Sequence, residues 1–148
     1  MTSGHDRPTY VPDTSVAVKW FVQNQEAEVQ QAWLLQDAFI REECIFVAPE
    51  LLLYELANAL KAGRRFSASE VLRAIDYVLE FGFVLETFRR STLHQAVEIA
   101  TTYGLPVYDS YFLATAVEAG GLFVTADDVF LRKVRGHPNI VSLRQLRF

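Results

Sequence analysis

Short apolar runs alternate with helix-like segments along almost the entire chain. Runs such as 45–48 are continuously apolar and stop at a proline, which is typical of a buried strand in a parallel sheet. The segments between these runs place apolar residues three and four positions apart, and several of them stop at a glycine. Strands separated by helices predict a parallel α/β sheet with helices on both faces.

The pattern places each strand and helix at a definite position. The strands are expected at 9–11, 45–48, 83–85, 122–124 and 140–142. The helices are expected at 15–21, 26–43, 50–62, 67–81, 91–103, 110–119 and 129–134. No linker, repeat or low-complexity stretch interrupts this order, so we expect a single domain at 9–148 and a flexible polar tail at 1–8.

The composition is that of a domain with a large core. With 148 residues, of which 51% are apolar, the chain can bury roughly 70% of its unfolded surface. Its one cysteine, Cys44, excludes an internal disulfide and a zinc site built on paired cysteines. The sequence shows no signal peptide and no apolar run of membrane-spanning length, so we expect a cytoplasmic protein that does not enter a membrane.

Four acidic residues stand where an ordinary soluble domain would not place them: Asp13, Glu55, Asp109 and Asp127. Each aspartate follows an apolar run and precedes a helix-like segment, whereas Glu55 interrupts an apolar helix. A carboxylate in apolar surroundings destabilises the fold or takes up a proton, unless a cation such as a divalent metal accompanies it. Residues after different parallel strands can converge at the carboxyl ends of those strands, so the four acids predict one metal site.

Each aspartate also has a simpler interpretation as a helix N-cap, which stabilises a helix by about 1 kcal/mol. That interpretation does not extend to Glu55, which lies in mid-helix beside Leu51, Leu52 and Ala59. Glu55 would instead be a surface charge if its helix buries a different face. The sequence alone leaves these interpretations open.

The net charge of −4 argues against nonspecific coating of nucleic acid, which depends on basic surfaces. The four acids account for this charge, and two divalent ions would neutralise it, so an anionic substrate is compatible with the composition. Three basic clusters are candidate contacts to backbone phosphates or else solvated charges: Arg64-Arg65, Arg89-Arg90 and Arg132-Lys133-Arg135.

Four segments, taken in order, resemble the PIN-domain ribonucleases, in particular the toxins of VapBC-type toxin–antitoxin pairs. They are VPDTSV at 11–16, PELLLYELANAL at 49–60, YDSYFLATA at 108–116 and LFVTADDVF at 122–130. Each motif is weak by itself, but the four in this order, with strands and helices between them, are specific. The similarity extends over about residues 9 to 143, nearly the whole chain.

The resemblance implies a three-layer α/β/α fold and cleavage of single-stranded RNA with Mg²⁺ or Mn²⁺. It assigns the metal ligands and catalytic acids to Asp13, Glu55, Asp109 and Asp127, and a supporting hydroxyl to Ser15. It also implies a cognate antitoxin as partner, whose C-terminal segment covers the site, and a homodimer.

Further residues receive roles from the same resemblance. Thr125 occupies the matching hydroxyl position before the last acid, and Asn58 is expected to orient the Glu55 carboxylate. Asp128 duplicates the last acid and is expected to be a solvated charge at a helix start. Trp20, Trp33 and the apolar helix at 50–62 would provide surfaces for a second copy or the antitoxin, unless they pack into the core.

Other functions fit the residues less well. A dehalogenase-like phosphatase requires a second aspartate two positions after the first, where this chain has Ser15. A phosphorelay receiver requires a central aspartate as phosphate acceptor, whereas the central acid here is Glu55 in a helix. A PIN-like module that binds protein or RNA without catalysis is the remaining alternative.

Overall fold

The computed structural model describes residues 6–22, 28–64 and 66–148 of the chain. The strands are β1 (Thr9–Pro12), β2 (Ile45–Pro49), β3 (Val84–Glu86), β4 (Leu122–Thr125) and β5 (Ile140–Ser142). The helices are α1 (Thr14–Ala17), α2 (Val29–Ile40), α3 (Leu51–Arg64), α4 (Ala68–Phe81), α5 (Arg90–Tyr103), α6 (Val107–Ala119) and α7 (Asp128–Lys133). Most of the tail predicted at 1–8, and the first residues of the helix predicted at 26–43, lie outside the described residues.

All neighbouring strands pair in parallel, in the order β3-β2-β1-β4-β5. The chain builds outward from β1 to β2 and β3, and then returns to place β4 on the other side of β1. The strand order therefore reverses between β1 and β4. In open parallel sheets, a crevice for ligands forms at such a point, beyond the carboxyl ends of the strands.

Successive strand residues point to opposite faces of the sheet, and each face carries its own apolar core. Val11 and Phe123 belong to one core, whereas Tyr10 and Val124 belong to or pack against the other. The first core contains buried residues of α3, α4, α5 and α6, and the second contains those of α2 and the C-terminal segment. Helices thus cover both faces, which confirms the predicted three-layer α/β/α architecture.

The predicted elements differ most from the observed ones in the first helix, at the end of α2 and at the start of α6. The helix predicted at 15–21 is the short α1 followed by a 3₁₀ turn, Val18–Trp20. Helix α2 ends at Ile40 rather than at residue 43. Glu42, two residues after this end, adopts a left-handed conformation with φ of 60°. Helix α6 begins at Val107, three residues earlier than predicted, directly after Pro106.

The sheet brings β1 and the turn before β4 into close contact. A Cβ atom on Gly121 would overlap the backbone carbonyl oxygen of Thr9, the first residue of β1. Glycine is therefore required where the chain enters β4. None of the helices in the described ranges is long and apolar enough to cross a membrane.

Candidate active site

Asp13 lies directly after β1 and is held by both its backbone and its carboxylate. Its N–H donates to the carbonyl oxygen of Val124 in β4 at 2.8 Å. Carboxylate oxygen Oδ1 accepts from the N–H of Thr14 at 2.8 Å, which makes Asp13 the N-cap of α1. Oxygen Oδ2 accepts from the hydroxyls of Ser15 and Thr125 at 2.8 and 2.9 Å. The carboxylate is therefore fixed between the ends of β1 and β4.

The hydroxyls of Ser15 in α1 and Thr125 at the end of β4 connect the segments that follow β1 and β4. Ser15 Oγ accepts from the N–H of Ala126 at 3.1 Å, and Thr125 Oγ1 accepts from the N–H of Asp127 at 3.1 Å. A hydroxyl has one proton to donate, and in both residues the backbone N–H fills an acceptor position. The proton of each hydroxyl is thereby directed to the Asp13 carboxylate.

Glu55 lies in the second turn of α3 and is partly buried. Its Oε2 atom accepts from the hydroxyl of Thr14 at 2.7 Å. Thr14 therefore contacts two acids, one through its N–H and one through its side chain. The predicted partner Asn58 is exposed, and no hydrogen bond joins it to Glu55 within the described residues. The prediction for Asn58 was wrong because α3 buries the stripe of Leu52, Leu56 and Leu60 and turns Asn58 outward.

Asp109 lies in the first turn of α6 and is partly buried. The sequence pattern predicted that it opens this helix, but the N-cap is Pro106, and Asp109 is the third helical residue. Proline at this position fixes φ and is compatible with an extended residue before a helix, so the helix starts earlier. Because α6 leads into the amino end of β4, its first turn lies at the carboxyl end of the sheet.

Asp127 caps α7 and is exposed. Its Oδ1 atom accepts from the N–H groups of Val129 and Phe130 at 2.9 and 3.1 Å. The neighbouring Asp128 is also exposed and forms an ion pair with Arg144 at 3.1 Å. The structure therefore separates the two adjacent acids, since Asp127 faces the start of its own helix and Asp128 faces the C-terminal segment.

Burial raises the pKa of the Asp13 carboxyl to about 6. The three hydrogen bonds to the carboxylate lower this pKa, and the charge of Glu55 raises it, but the loss of hydration has the largest effect. A carboxylate that three donors contact and whose pKa is still raised lies in a strongly desolvated position. Such positions are characteristic of functional sites.

Electrostatic repulsion acts between successive pairs of the four acids. Burial raises the pKa of Glu55, and the negative charge of Asp109 raises it further. Burial also raises the pKa of Asp109, with an additional increase from Asp127 and a partial offset from Lys133. Together with the effect of Glu55 on Asp13, these interactions place the four acids in one region at the carboxyl end of the sheet.

The side chains in this region provide carboxylate and hydroxyl oxygens, the ligand type that suits hard divalent cations such as Mg²⁺ and Mn²⁺. As the side chains stand, no group of three or more His, Cys, Asp and Glu within the described residues could hold a metal ion. Hydrogen bonds from Thr14, Ser15 and Thr125 occupy oxygens of Asp13 and Glu55. The four acids share an electrostatic environment without forming a coordination sphere.

Comparison with protein families adds an independent observation. The family model described as PIN domain matches residues 10–136, which is most of the chain. The chain belongs to the PIN domain family. Nucleases of this family usually use divalent metals, in agreement with the oxygen-rich site. A search of curated protein sequences returned no significant match.

Solved structures share the fold of this PIN domain over nearly their full length. A toxin–antitoxin complex from Klebsiella pneumoniae is 17% identical with a TM-score of 0.67, covering 93% of this chain and 99% of that chain. PAE2754 from Pyrobaculum aerophilum is 21% identical with a TM-score of 0.62, covering 95% and 93%. FitAcB from Neisseria gonorrhoeae is 18% identical with a TM-score of 0.64, covering 93% and 99%. At sequence identities this low, the structural similarity shows a shared fold.

The basic clusters of the PIN domain have different environments. Arg89 forms an ion pair with Glu86 at 3.0 Å, and Lys133 donates to the carbonyl oxygen of Gly104 at 3.2 Å. Arg132 and Arg135 are exposed. The side chains of Arg64 and Arg65, the third predicted phosphate contact, lie outside the described part of the structure.

Thr14 is the residue at this site that the sequence pattern did not identify. It lies between Asp13 and Ser15, and in the sequence it is explained simply as the first residue of a helix. Its contact with Glu55 spans 41 positions of the chain and is visible only in three dimensions. The available signal was a hydroxyl residue directly beside an acid in an Asp-Thr-Ser triplet.

Proposed function

We propose that this PIN domain is a metal-dependent endoribonuclease that cleaves single-stranded RNA. The observation that carries the proposal is the series of mutually repelling carboxylates at the reversal of strand order, where desolvation raises the pKa of Asp13 to about 6. Such a group of charges is stable when a cation lies among it. Family membership supports nuclease chemistry in this location.

The residues that would hold the cation are Asp13, Glu55, Asp109 and Asp127, and their oxygens suit Mg²⁺ or Mn²⁺. When bound, a divalent ion lowers the pKa of water and stabilises the charge that develops on the scissile phosphate. The side chains of the protein would bind and orient this ion. The described contacts supply no histidine to the site, so the acids and their hydroxyl partners perform this task.

The hydroxyl residues prepare the acids for this role. Ser15 and Thr125 direct their protons to Asp13, which favours the charged carboxylate that a metal requires. Thr14 does the same for Glu55. The positive charge of Lys133 lowers the pKa of Asp109 and so keeps a third carboxylate available. Each acid whose pKa is raised by burial thus has a group that opposes its protonation.

The direct test replaces Asp13 or Asp109 with asparagine and measures cleavage of an unstructured RNA with Mg²⁺ or Mn²⁺. We expect either substitution to reduce the cleavage rate on the order of 100-fold or more, since each removes a carboxylate from the site. Excess chelator should abolish cleavage by the unsubstituted protein. Asp76→Asn is the matched control, because Asp76 is exposed on α4, a helix that supplies none of the four acids.

Undiminished cleavage by folded Asp13→Asn and Asp109→Asn proteins would contradict the proposal. A protein that binds RNA but cleaves none of the RNAs tested, with either metal, would instead be the noncatalytic PIN-like module. Circular dichroism of each variant establishes that it is folded.

The same proposal makes the domain the toxin of a type II toxin–antitoxin pair. Its support is the fold shared with the toxin–antitoxin complex from Klebsiella pneumoniae and with FitAB bound to a DNA fragment. The antitoxin would cover the acidic crevice, most simply by presenting a basic side chain to it. Expression of the domain should arrest growth in the cytoplasm, and Asp13→Asn should relieve the arrest. Growth arrest that persists with Asp13→Asn would contradict a nuclease toxin.

A homodimer is part of the proposal and is supported by an apolar surface beside the acids. Tyr54, Phe88 and Tyr108 are 69%, 67% and 67% exposed, and together with Leu93 they line a groove of about 320 Å³. Contiguous exposed aromatic residues favour contact with another protein surface. Sedimentation should show a dimer that Phe88→Ser dissociates and that Leu72→Ser, on the exposed face of α4, leaves intact. A monomer at all concentrations would contradict this assignment.

The aromatic residues expected at protein surfaces occupy two environments. Trp20 packs against Phe46 and Phe83, with ring centroids 5.9 Å apart in both pairs, and donates to the carbonyl oxygen of Ala32. It therefore belongs to the core. Trp33 is 48% exposed and remains available for a partner.

A further inference from the structure

A groove beside strand β5 concentrates positive charge in a chain of negative net charge. It has a volume of about 700 Å³ and is lined by Arg132, Arg135 and Arg144, with Asp128 and His137 among its other residues. We call it the basic groove. Strand β5 is an edge of the sheet and pairs with β4 alone, so the groove is open to solvent along this edge.

Two of the three arginines are available to bind an anion. Arg132 and Arg135 are exposed, and no carboxylate within the described residues lies at ion-pair distance from either. Arg144 is engaged, since it contacts Glu28 at 2.9 Å and Asp128 at 3.1 Å. These contacts fix the guanidinium group of Arg144 at one side of the groove, whereas Arg132 and Arg135 form no ion pair within the described residues.

His137 contributes shape rather than charge. Burial lowers its pKa, which favours the neutral imidazole, and its Nδ1 atom accepts from the N–H of Asn139 at 3.1 Å. Its ring lies 6.0 Å from that of Tyr103. The positive charge of the basic groove therefore comes from its arginines at neutral pH.

Helix α7 joins the basic groove to the acidic site. Asp127 caps this helix, and the next residue, Asp128, already lines the groove. From the same helix, Lys133 interacts with Asp109, whereas Arg132 lines the groove. A polymer that reaches the four acids can thus continue past the start of α7 into the basic groove without leaving the surface.

We propose that the basic groove binds the phosphate backbone of the RNA strand on one flank of the scissile bond. This inference rests on the proposed nuclease function. The four acids repel a polyanion, so binding energy for the strand has to come from positive charge outside the site. Exposed guanidinium groups form paired hydrogen bonds with phosphate, and a polar open groove suits a solvated backbone better than an apolar peptide segment.

The test measures binding separately from cleavage. A fluorescein-labelled unstructured RNA oligonucleotide is titrated with the full chain in excess chelator, with its integrity verified on a gel, between roughly 50 and 200 mM salt. The variant is Arg132→Gln/Arg135→Gln. Loss of two phosphate contacts should make the slope of log K against log salt shallower by about 1.4 and weaken binding about tenfold at low salt.

The matched control is Arg7→Gln/Arg41→Gln, which removes the same charge from two positions that do not line the basic groove. Arg7 precedes β1 and Arg41 precedes β2, and both are exposed. The control should keep the salt slope of the unsubstituted protein. An Arg132→Lys/Arg135→Lys variant, which retains the charge, should recover most of the slope.

Two results would overturn the inference: RNA binding that the Arg132/Arg135 substitution leaves unchanged, or an unsubstituted protein that binds no RNA. The first would assign the basic groove to a different anion, such as an acidic segment of a protein partner. Failure of the nuclease proposal would be distinguishable from both results, because a protein that never cleaves RNA can still show the expected change in salt slope.

Discussion

The hydroxyl of Thr14 donates a hydrogen bond of 2.7 Å to the carboxylate of Glu55, and so joins the start of α1 to the second turn of α3. The neighbouring residue Asp13 accepts from the N–H of the same threonine. One small residue thus sets the spacing between two acids from distant parts of the chain. The contact has direct consequences for metal binding.

Replacing Thr14 with valine removes this donor while preserving the shape of the side chain. We expect the Mg²⁺ concentration required for half-maximal cleavage to rise about tenfold, because a partner that orients a ligand is lost. Without the donor, the pKa of Glu55 should rise further, so the acidic limb of the pH–rate profile should move to higher pH. Thr14→Ser keeps the hydroxyl and should restore both properties. An unchanged metal requirement in Thr14→Val would show that the contact is only structural.

Asp13→Asn should stabilise the metal-free protein at neutral pH while it abolishes cleavage. The pKa of Asp13 is raised to about 6 in the folded state from its ordinary 3.8, so folding favours the neutral form. The cost of the buried charge is absent below pH 4, grows as pH rises, and is fully present above pH 6. Asparagine imitates the neutral form and should raise the free energy of unfolding on the order of 2 kcal/mol at neutral pH.

Denaturant unfolding in chelator, compared between acidic and neutral pH, measures this difference. The advantage of Asp13→Asn should vanish below pH 4. Asp128→Asn, at an exposed acid, should change stability by less than about 0.5 kcal/mol at either pH. A destabilised Asp13→Asn protein at neutral pH would mean that capping of α1 outweighs the cost of burial.

Stabilisation of the unsubstituted protein by metal should increase as pH rises. The pKa values of Asp13, Glu55 and Asp109 are all raised, so protons compete with a cation for these groups as pH falls. Thermal unfolding with and without Mg²⁺ should show a clear increase in melting temperature near neutral pH and little increase well below pH 6. Asp109→Asn should weaken the increase at neutral pH. The same increase at both pH values would argue for metal binding elsewhere.

Gly121→Ala should destabilise the fold more than an alanine substitution at an open glycine. Its new Cβ would overlap the carbonyl oxygen of Thr9, which is backbone and cannot move aside without shifting β1 against β4. We expect a loss on the order of 2–3 kcal/mol in the free energy of unfolding. Gly104→Ala is the comparison, since Gly104 has φ of +66° but open space around it, and should cost about 1 kcal/mol. Equal losses in the two variants would exclude the steric contact as the cause.

The alternation of apolar runs and helical segments was sufficient to predict the parallel sheet, its strands and the three layers. Each of these features depends on local periodicity, which burial imposes directly on the sequence. The N-cap interpretation of Asp13 and Asp127 and the ligand interpretation are compatible, because both residues cap helices and also lie among the acids. The local pattern could not choose between the observed cap and the proposed ligand, because one residue can serve as both.

Helix starts that depend on proline and on tertiary contacts were harder to predict from the sequence. In the sequence, Asp109 follows an apolar pair that resembles a strand end, which predicted a helix start at residue 110. The helix instead begins directly after Pro106, so Asp109 is part of its first turn. The error in the helix start did not remove Asp109 from the site, because the direction of α6 sets the location of its first turn.

The sequence by itself determined which residues are acidic, which segments form strands, and that the chain returns to one sheet edge several times. Tertiary structure alone decided that Thr14 rather than Asn58 contacts Glu55, and that the four acids repel one another in series. Strand order is the physical reason. Placing β4 beside β1 brings together residues more than a hundred positions apart, such as Asp13 and Thr125, and no local pattern encodes that contact.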